Sequence, residues 1–137
     1  MKILHPAGWP RPKGYSNGIV ATGRLVFVAG QVGWTAAEKF VAKDFPGQFR
    51  QALENVLAVL AEAGAGPEHI VRMTWFLTDK QEYLDSLAEV GAIYRELMGR
   101  RFPTMSVVEV SALIEDQAKI EIETTAVLPP ETIGEGL

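Results

Sequence analysis

The side chains best suited to chemistry in this sequence are carboxylates, because the usual nucleophiles and metal ligands are scarce. There is no cysteine, which excludes thiolate nucleophiles, disulfides and cysteine zinc sites. His5 and His69 are far apart in the chain, which argues against a dedicated metal site and a histidine acid–base pair. In Lys119–Glu123 isoleucines alternate with charged residues, so Glu121 lies on the charged face of a strand. By type alone, it is either a general base or a solvated or salt-bridged carboxylate, with Lys119 or the Arg72 of a neighbouring subunit as its partner.

Length and composition set the class of protein. The chain has 137 residues, 47% of them hydrophobic, which fits a single domain over 1–137 with more apolar content than a small monomer needs. The net charge of −4 argues against a surface that follows nucleic-acid phosphates, although a local basic patch stays open. The lack of cysteine, of an apolar run of membrane length and of a signal-peptide segment predicts a cytoplasmic protein.

Local patterns predict the elements that carry these residues. Prolines and glycines make residues 1–17 an extended arm, and Pro129–Pro130 end the fold and leave a tail over residues 128–137. Between them the patterns predict strands at Ile19–Ala21 and Leu25–Ala29 joined as a hairpin through Thr22–Arg24, a helix at Phe45–Ala63, a strand at Ile70–Thr78, a helix at Glu82–Met98, and strands at Met105–Ser111 and Ala118–Val127. Asp44 and Gly64 are the expected caps of the first helix.

This order of elements predicts an α+β fold, in which both helices cover one face of a single sheet. On the last strand the isoleucines face the helices. The same alternation directs Val108 and Val110 of the preceding strand toward the helices. The outer face then receives Met105, Val107, Glu109 and, from the strand before, Trp75. Because a monomer rarely leaves a broad apolar patch in water, this face predicts oligomerisation.

Five segments are distributed along most of the chain. In order they are Gly14–Ser16, Val26–Gln31, Gln51–Val56, Phe102–Val110 and Lys119–Glu123. Together, in this order and spacing, they resemble the Rid (reactive intermediate deaminase, or YjgF) family. The resemblance implies a chorismate-mutase-like α+β subunit, with a mixed sheet and two helices packed on one face. It also implies assembly as a homotrimer with small-molecule clefts between neighbouring subunits.

Family members with deaminase activity hydrolyse reactive enamines and imines, such as 2-aminoacrylate, to the keto acid and ammonia without a cofactor. In their pattern an arginine within Pro-Ala-Arg-Ser grips the substrate carboxylate, and Met105 stands at that position here. Methionine has neither charge nor donor, so the usual substrate loses its anchor. A cysteine often found two residues later is Val107, and the asparagine of the second helix has no clear match. Arg72 is a cation that could replace the anchor or be a solvated side chain.

The resemblance further implies a candidate site of Glu121, Tyr15 and Gly30. Glu121 matches a glutamate that positions the attacking water, and we expect Met105 and Val107 to desolvate its carboxylate, as suits a general base. Tyr15 matches a tyrosine at the edge of the cleft, and Gly30 a glycine whose backbone a ligand can approach closely. The residues alone also allow simpler roles, with Tyr15 packing the arm onto the sheet and Gly30 ending a strand.

Two functions are compatible with this sequence. One is cofactor-free hydrolysis of a small imine, enamine or related reactive nitrogen compound that lacks a carboxylate at the arginine position. The other is a non-catalytic trimeric module that binds a small ligand or a partner protein in the same clefts. The ribonuclease activity ascribed to some relatives fits poorly with a net charge of −4 and separated histidines. We expect no metal site and no membrane partner.

Overall fold

A computed structural model describes residues 1–131 of the chain. The strands are β1 (Lys2–Leu4), β2 (Gly18–Val20), β3 (Arg24–Val32), β4 (Ile70–Leu77), β5 (Thr104–Glu109) and β6 (Ile120–Leu128). The helices are α1 (Phe45–Glu62), α2 (Lys80–Asp85) and α3 (Leu87–Met98), and a 3-10 turn covers Pro67–His69. Of the predicted tail over residues 128–137, only 128–131 lie within the described residues.

Four strands form the main sheet in the order β3–β6–β4–β5. β6 runs antiparallel to both β3 and β4, whereas β4 and β5 are parallel neighbours. A parallel pair needs a crossover connection, and α2 and α3 provide it. α1 and α3 contact each other and share one apolar core with the sheet. The prediction of an α+β fold with a mixed sheet and its helices on one face is confirmed.

The core lies between α1 and the centre of the sheet. The helical stripe of α1 is fully buried at Phe49, Ala52, Leu53, Val56 and Leu60. It packs against the face of β6 that carries Ile120 and Ile122, which are also fully buried. The helix begins and ends within one residue of the prediction, although the Asp44 side chain makes no capping hydrogen bond.

The predicted hairpin is wrong. β2 pairs antiparallel with β1 of the arm, so the arm contains a short strand, and β3 pairs with β6 instead of β2. At Gly23, where φ is +152°, the chain turns a corner between the two sheets, and a Cβ there would collide with the carbonyl oxygen of Leu128. Gly23 therefore marks a corner instead of a hairpin turn. β2 pairs with the preceding strand, whereas the partner of β3 is distant in sequence.

The second predicted helix is interrupted at Ser86, which separates α2 from α3. The Ser86 hydroxyl donates to the carbonyl oxygen of Glu82 at 2.8 Å, a local bond of the kind that competes with regular helix. The start of α2 is capped by Asp79, whose side chain accepts from the amides of Gln81 and Glu82. The apolar periodicity continued across Ser86 and could not reveal the break.

The face predicted for the strand before last is also wrong. Parallel pairing aligns Met73 with Met105 and Trp75 with Val107, so these side chains share the helix-covered face. Trp75 is buried in the core, with its ring centroid 4.8 Å from that of Phe49. Glu109 accepts from the Lys80 amide at 2.8 Å. Val108 lies on the opposite, outer face, and Val110 lies beyond the end of β5.

The outer face of the sheet nevertheless carries exposed apolar groups, contributed by different residues. Leu25 and Phe27 of β3 are 60% and 73% exposed, and Val108 of β5 is 41% exposed. Phe76 of β4 lies between them, aligned with Val108 on one side and Glu121 on the other. Within residues 1–131, no helix combines the length and apolar character needed to cross a bilayer.

Candidate functional site

Gly30 and Glu121 contact each other where β3 departs from regular pairing. The register between β3 and β6 shifts between Val28 and Gln31, so Gly30 lies in an irregular, bulged stretch. A Cβ on Gly30 would lie 2.7 Å from the carboxyl carbon of Glu121 and closer still to one of its oxygens. The bare glycine backbone therefore provides the space that the carboxylate occupies.

Helix α1 fixes the position of this bulged stretch. The Asn55 side-chain amide donates to the carbonyl oxygens of Val32 at 3.1 Å and of Trp34 at 2.7 Å. At Gly33 the backbone approaches α1 so closely that a Cβ would lie 2.8 Å from the Cα of Gln48. These bonds and contacts hold the end of β3 against the most buried helix, so Gly30 sits on a rigid support.

The Glu121 carboxylate is partly buried on the outer face of β6. Within residues 1–131 it has no ion pair and accepts no hydrogen bond. Lys119, which by residue type could have neutralised it, instead pairs with Glu82 at 2.9 Å. Met105 and Val107 lie on the opposite face of the sheet, so within one chain they do not provide the apolar surroundings we expected for Glu121.

Met105, Val107 and Tyr15 instead meet in a groove of about 580 Å³ on the helix side of β5, which we call the aromatic groove. Its walls are mostly apolar and aromatic. They include Trp75, Tyr83, Leu87, Val90, Tyr94 and Phe102. Lys13 and Arg95 are its two cations. A ligand in this groove would contact ring faces and aliphatic groups, with positive charge only at those two residues.

Backbone bonds between the arm and the segment before β5 place Tyr15 at this groove. The Ser16 amide donates to the carbonyl oxygen of Pro103 at 3.0 Å, and the Ser16 hydroxyl donates to that of Phe102. Ser16 also forms an isolated parallel bridge with Thr104. Because Ser16 is buried and held three ways, the neighbouring Tyr15 has a defined location at the mouth of the groove.

Two tyrosines of the groove are buried deeply enough to change their ionisation. Burial raises the pKa of Tyr94 well above its ordinary value, and it also raises the pKa of Tyr83. The Tyr94 hydroxyl donates to the carbonyl oxygen of Arg101, and its ring stacks on Phe102 with 6.1 Å between centroids. Beside them the buried indole Nε1–H of Trp75 has no hydrogen-bond partner within the described residues.

Arg72 projects from the outer face of the sheet, where it is exposed and aligned with Thr104. It lines a second concavity, of about 530 Å³, to which Tyr15 and Met105 also contribute, so a cation is present near the methionine position. Across residues 1–131, no three His, Asp or Glu side chains lie close enough to share a metal ion.

The predicted site residues thus form two groups in one chain, Gly30 with Glu121 and Tyr15 with Met105 and Val107. Arg72 belongs to neither group and lines the separate concavity that Tyr15 and Met105 border. Sequence reasoning missed the remaining groove residues, chiefly Trp75, Tyr83, Tyr94 and Arg95. Part of the signal was present, because Leu87, Val90 and Tyr94 follow a helical stripe. Such a stripe by itself indicates a surface that faces the core, whereas Leu87 is 50% exposed and lines the groove.

Comparisons with known proteins agree on one family. The protein-family model described as Endoribonuclease L-PSP matches residues 10–128 of this chain. The RutC family protein slr0709 of Synechocystis sp. is 36% identical over 132 residues, covering 94% of this chain and 98% of that protein. The putative reactive intermediate deaminase TdcF of Escherichia coli is 34% identical over 111 residues, covering 79% and 82%.

Solved structures agree with this assignment. The Rid-family protein YyfB from Yersinia pestis, described as a protein of unknown function, has a TM-score of 0.81 at 31% identity, with 93% of this chain and 98% of that one covered. The structure of E. coli TdcF with bound serine has a TM-score of 0.66 at 34% identity, with 93% and 99% covered.

The buried tyrosines predict a fall in stability at high pH. The folded-state pKa of Tyr94 is raised, so above about pH 10 the unfolded chain loses a phenolic proton that the folded chain keeps. The free energy of unfolding should therefore fall as pH rises through that range, by at most about 1.4 kcal/mol per pH unit for this residue. Urea unfolding of wild type and Tyr94→Phe at about pH 9 and about pH 11 measures how steeply the free energy of unfolding of each protein falls with pH.

Tyr15→Phe, which removes an exposed hydroxyl, is the matched control and should keep the wild-type slope. An equal pH dependence in wild type and Tyr94→Phe would contradict the assignment of the effect to Tyr94.

Proposed function

The chain belongs to the Rid (YjgF) family, and on that premise we propose that it hydrolyses a small imine or enamine in a cleft completed by a neighbouring subunit. The observation that carries this proposal is the contact between Gly30 and Glu121. A carboxylate without an ion pair, set against a bare backbone, is free to accept a proton from water while a small ligand approaches the peptide groups. The cysteine-free composition is the basis for proposing that this takes place in the cytoplasm.

The proposed reaction is addition of water followed by loss of ammonia. An enamine first tautomerises to the imine. The water oxygen then attacks the imine carbon, and Glu121 accepts the proton that the water loses. That proton passes to the imine nitrogen, which gives a carbinolamine. The carbon–nitrogen bond then breaks as the carbinolamine hydroxyl gives its proton to the departing nitrogen, which yields one carbonyl product and one ammonia for each water consumed. No oxidant, reductant or cofactor is needed for this balance.

Assembly is part of the proposal, because Glu121 and the aromatic groove lie on opposite sides of the sheet within one chain. We propose a homotrimer in which the outer sheet faces meet and bring Glu121 of one subunit beside the groove of the next. The support is the exposed apolar surface at Leu25, Phe27 and Val108, which a monomer would leave in water.

Charge placed on that surface should break the assembly. Phe27→Glu introduces a carboxylate at an apolar position that is 73% exposed in the single chain, and the measured mass should fall from three subunits to one. Size-exclusion chromatography with light scattering measures this. Ile114→Glu, at a loop position that is 95% exposed, is the control and should leave the mass unchanged. A wild-type mass of one subunit would rule out the trimer.

The substrate is proposed to differ from the amino-acid-derived imines of deaminating relatives. TdcF, a relative named as a putative reactive intermediate deaminase, is solved with bound serine, an amino acid. In this chain Met105 offers no donor to a carboxylate, and its groove is lined by aromatic and aliphatic groups. We therefore propose an imine or enamine with an apolar or aromatic body and without a carboxylate at the Met105 position.

The proposed general base is tested by removing its charge. Glu121→Gln keeps the size and polarity of the side chain but cannot accept a proton, so turnover should fall by roughly 100-fold to 10,000-fold with the oligomer intact. Ammonia release is measured over a panel of imines generated from aryl and alkyl amines and amino acids. Glu123→Gln, an exposed glutamate on the same strand and face, should retain wild-type turnover. The hydrolase proposal is wrong if wild type converts no member of the panel.

A restoring substitution tests the role given to Met105. Met105→Arg supplies a two-pronged donor for a carboxylate, so hydrolysis of 2-aminoacrylate generated in solution should appear or rise at least about 10-fold. Met105→Lys is the matched control, since it adds charge without the fork, and should give the smaller gain. No gain with arginine would mean that more than one residue separates this cleft from the deaminase pattern.

A non-catalytic binding module is the second candidate. It is favoured because Met105 stands where the family pattern has the arginine that grips the substrate carboxylate, and Val107 stands where that pattern often has a cysteine. Ligands that raise the melting temperature and are recovered chemically unchanged would support this reading. Ribonuclease activity, suggested by the description of the matched family model, ranks last in view of the net charge of −4.

A further inference from the structure

We propose a second ligand site, an anion-binding cavity between the N-terminal arm and the segment that follows α3. The cavity has a volume of about 630 Å³ and lies against β1, β2 and residues 100–103. Its lining residues include Arg11, Arg100 and Arg101, and we call it the arginine cavity. Its ligand is a small organic anion, a carboxylate or a phosphate monoester, carried on an apolar body.

The charge of the cavity is opposite to that of the whole chain. The chain carries a net charge of −4, whereas Glu68 is the one carboxylate that lines this cavity among residues 1–131. Within residues 1–131, neither Arg11, Arg100 nor Arg101 forms an ion pair, in contrast to Arg24 and Arg50 elsewhere. Arginines without an ion pair that line one concave surface attract carboxylates and phosphates, and a guanidinium can bind such an anion through paired hydrogen bonds.

Glu68 cancels only part of this positive charge. Its carboxylate lies 3.2 Å from His69 Nδ1, but that nitrogen accepts a hydrogen bond from the Gly66 amide at 3.0 Å. A ring nitrogen that accepts carries no proton, so Glu68 and His69 do not form a charged pair through Nδ1. Glu68 therefore offsets one of the three guanidinium charges and leaves the cavity positive.

The walls specify the rest of the ligand. Ile3, Leu4, Ile19, Ile70 and Phe102 present apolar surface to the same cavity. A bare inorganic anion would leave this surface in contact with water, whereas an anion with a hydrocarbon or aromatic body would cover it. A cavity that combines arginines with an apolar wall should bind a small amphipathic anion more tightly than an inorganic one.

The cavity is formed before any ligand arrives. β1 of the arm pairs with β2, which follows the arm. Within the arm, the Trp9 amide donates to the carbonyl oxygen of Pro6 at 3.2 Å. A ring nitrogen of His5 lies 3.0 Å from the carbonyl oxygen of Trp9, and Ser16 ties the end of the arm to Pro103. A wall held by backbone bonds lowers the conformational entropy that a ligand would otherwise lose on binding.

This site is separate from the proposed catalytic one. Its lining lacks Gly30, Met105, Val107 and Glu121, although Gly14, Tyr15 and Phe102 border both the cavity and the aromatic groove. Binding there can therefore be tested by calorimetry on the wild-type assembly, whether or not the hydrolase proposal holds.

The probes are phenyl phosphate and phenylacetate, with inorganic phosphate as the comparison, titrated by isothermal calorimetry at low ionic strength. We expect at least one of the two organic anions to bind, and to bind more tightly than inorganic phosphate. The organic anion that binds more tightly shows whether the site prefers a phosphate monoester or a carboxylate. In Arg100→Ala/Arg101→Ala the affinity should fall about 10-fold or more, because two charge-assisted donors are lost. The Tyr94 hydroxyl bonds the backbone of Arg101, so this variant keeps that contact.

The matched control is Arg24→Ala/Lys39→Ala, which removes the same charge at exposed positions outside the cavity. It should bind the probe like wild type, and thermal unfolding of both variants checks that they are folded. The proposal is overturned if neither organic anion binds, if the control loses as much affinity as the cavity variant, or if inorganic phosphate binds as tightly. A single-stranded RNA decamer that binds far more tightly than either probe, and loses binding in the cavity variant, would replace a small ligand with nucleic acid.

Discussion

The packing of α1 on β6 is the constraint from which the remaining geometry follows. The apolar stripe of α1 and the isoleucines Ile120 and Ile122 bury one another completely. Because side chains alternate along a strand, burial of these isoleucines obliges Glu121 and Glu123 to face the other way. The same helix holds the end of β3 through Asn55 and sets Gly30 beside Glu121. One apolar contact thus decides both where the core lies and which way the candidate base points.

Sequence reasoning succeeded where one residue pattern left no choice. On β6 the alternation of isoleucine with charge allows only one buried face, and α1 has a single apolar stripe. It failed on β5, where Met105, Val107 and Val108 make both faces apolar and the parallel register with β4 decides the outcome. It failed again for β2, which pairs with the preceding strand β1 and not with β3, because a turn signal between β2 and β3 does not show that the two strands pair.

For the candidate site, the sequence predicted the residues but not their arrangement in space. The resemblance selected Gly30 and Glu121, which are in contact, and Tyr15 and Met105, which share a groove. It could not show that these pairs lie on opposite sides of the sheet, since that depends on strand register. The aromatic groove and the arginine cavity could not be seen in the sequence, because each combines residues that are distant in the chain. The groove uses the arm, α3 and β5, and the cavity uses the arm, β2, the turn before β4 and residues 100–103. Local periodicity cannot assemble such sets.

The bulge at Gly30 has a second effect, on how the sheet meets other chains. β3 is an edge strand of the main sheet, and a long regular edge offers unpaired amides and carbonyls to any other strand. The bulge interrupts that row near its middle, while at the opposite edge the bridge from Ser16 covers the start of β5. The irregularity that makes room for a carboxylate therefore also guards the protein against strand-to-strand aggregation. Selection on either property would retain the same glycine.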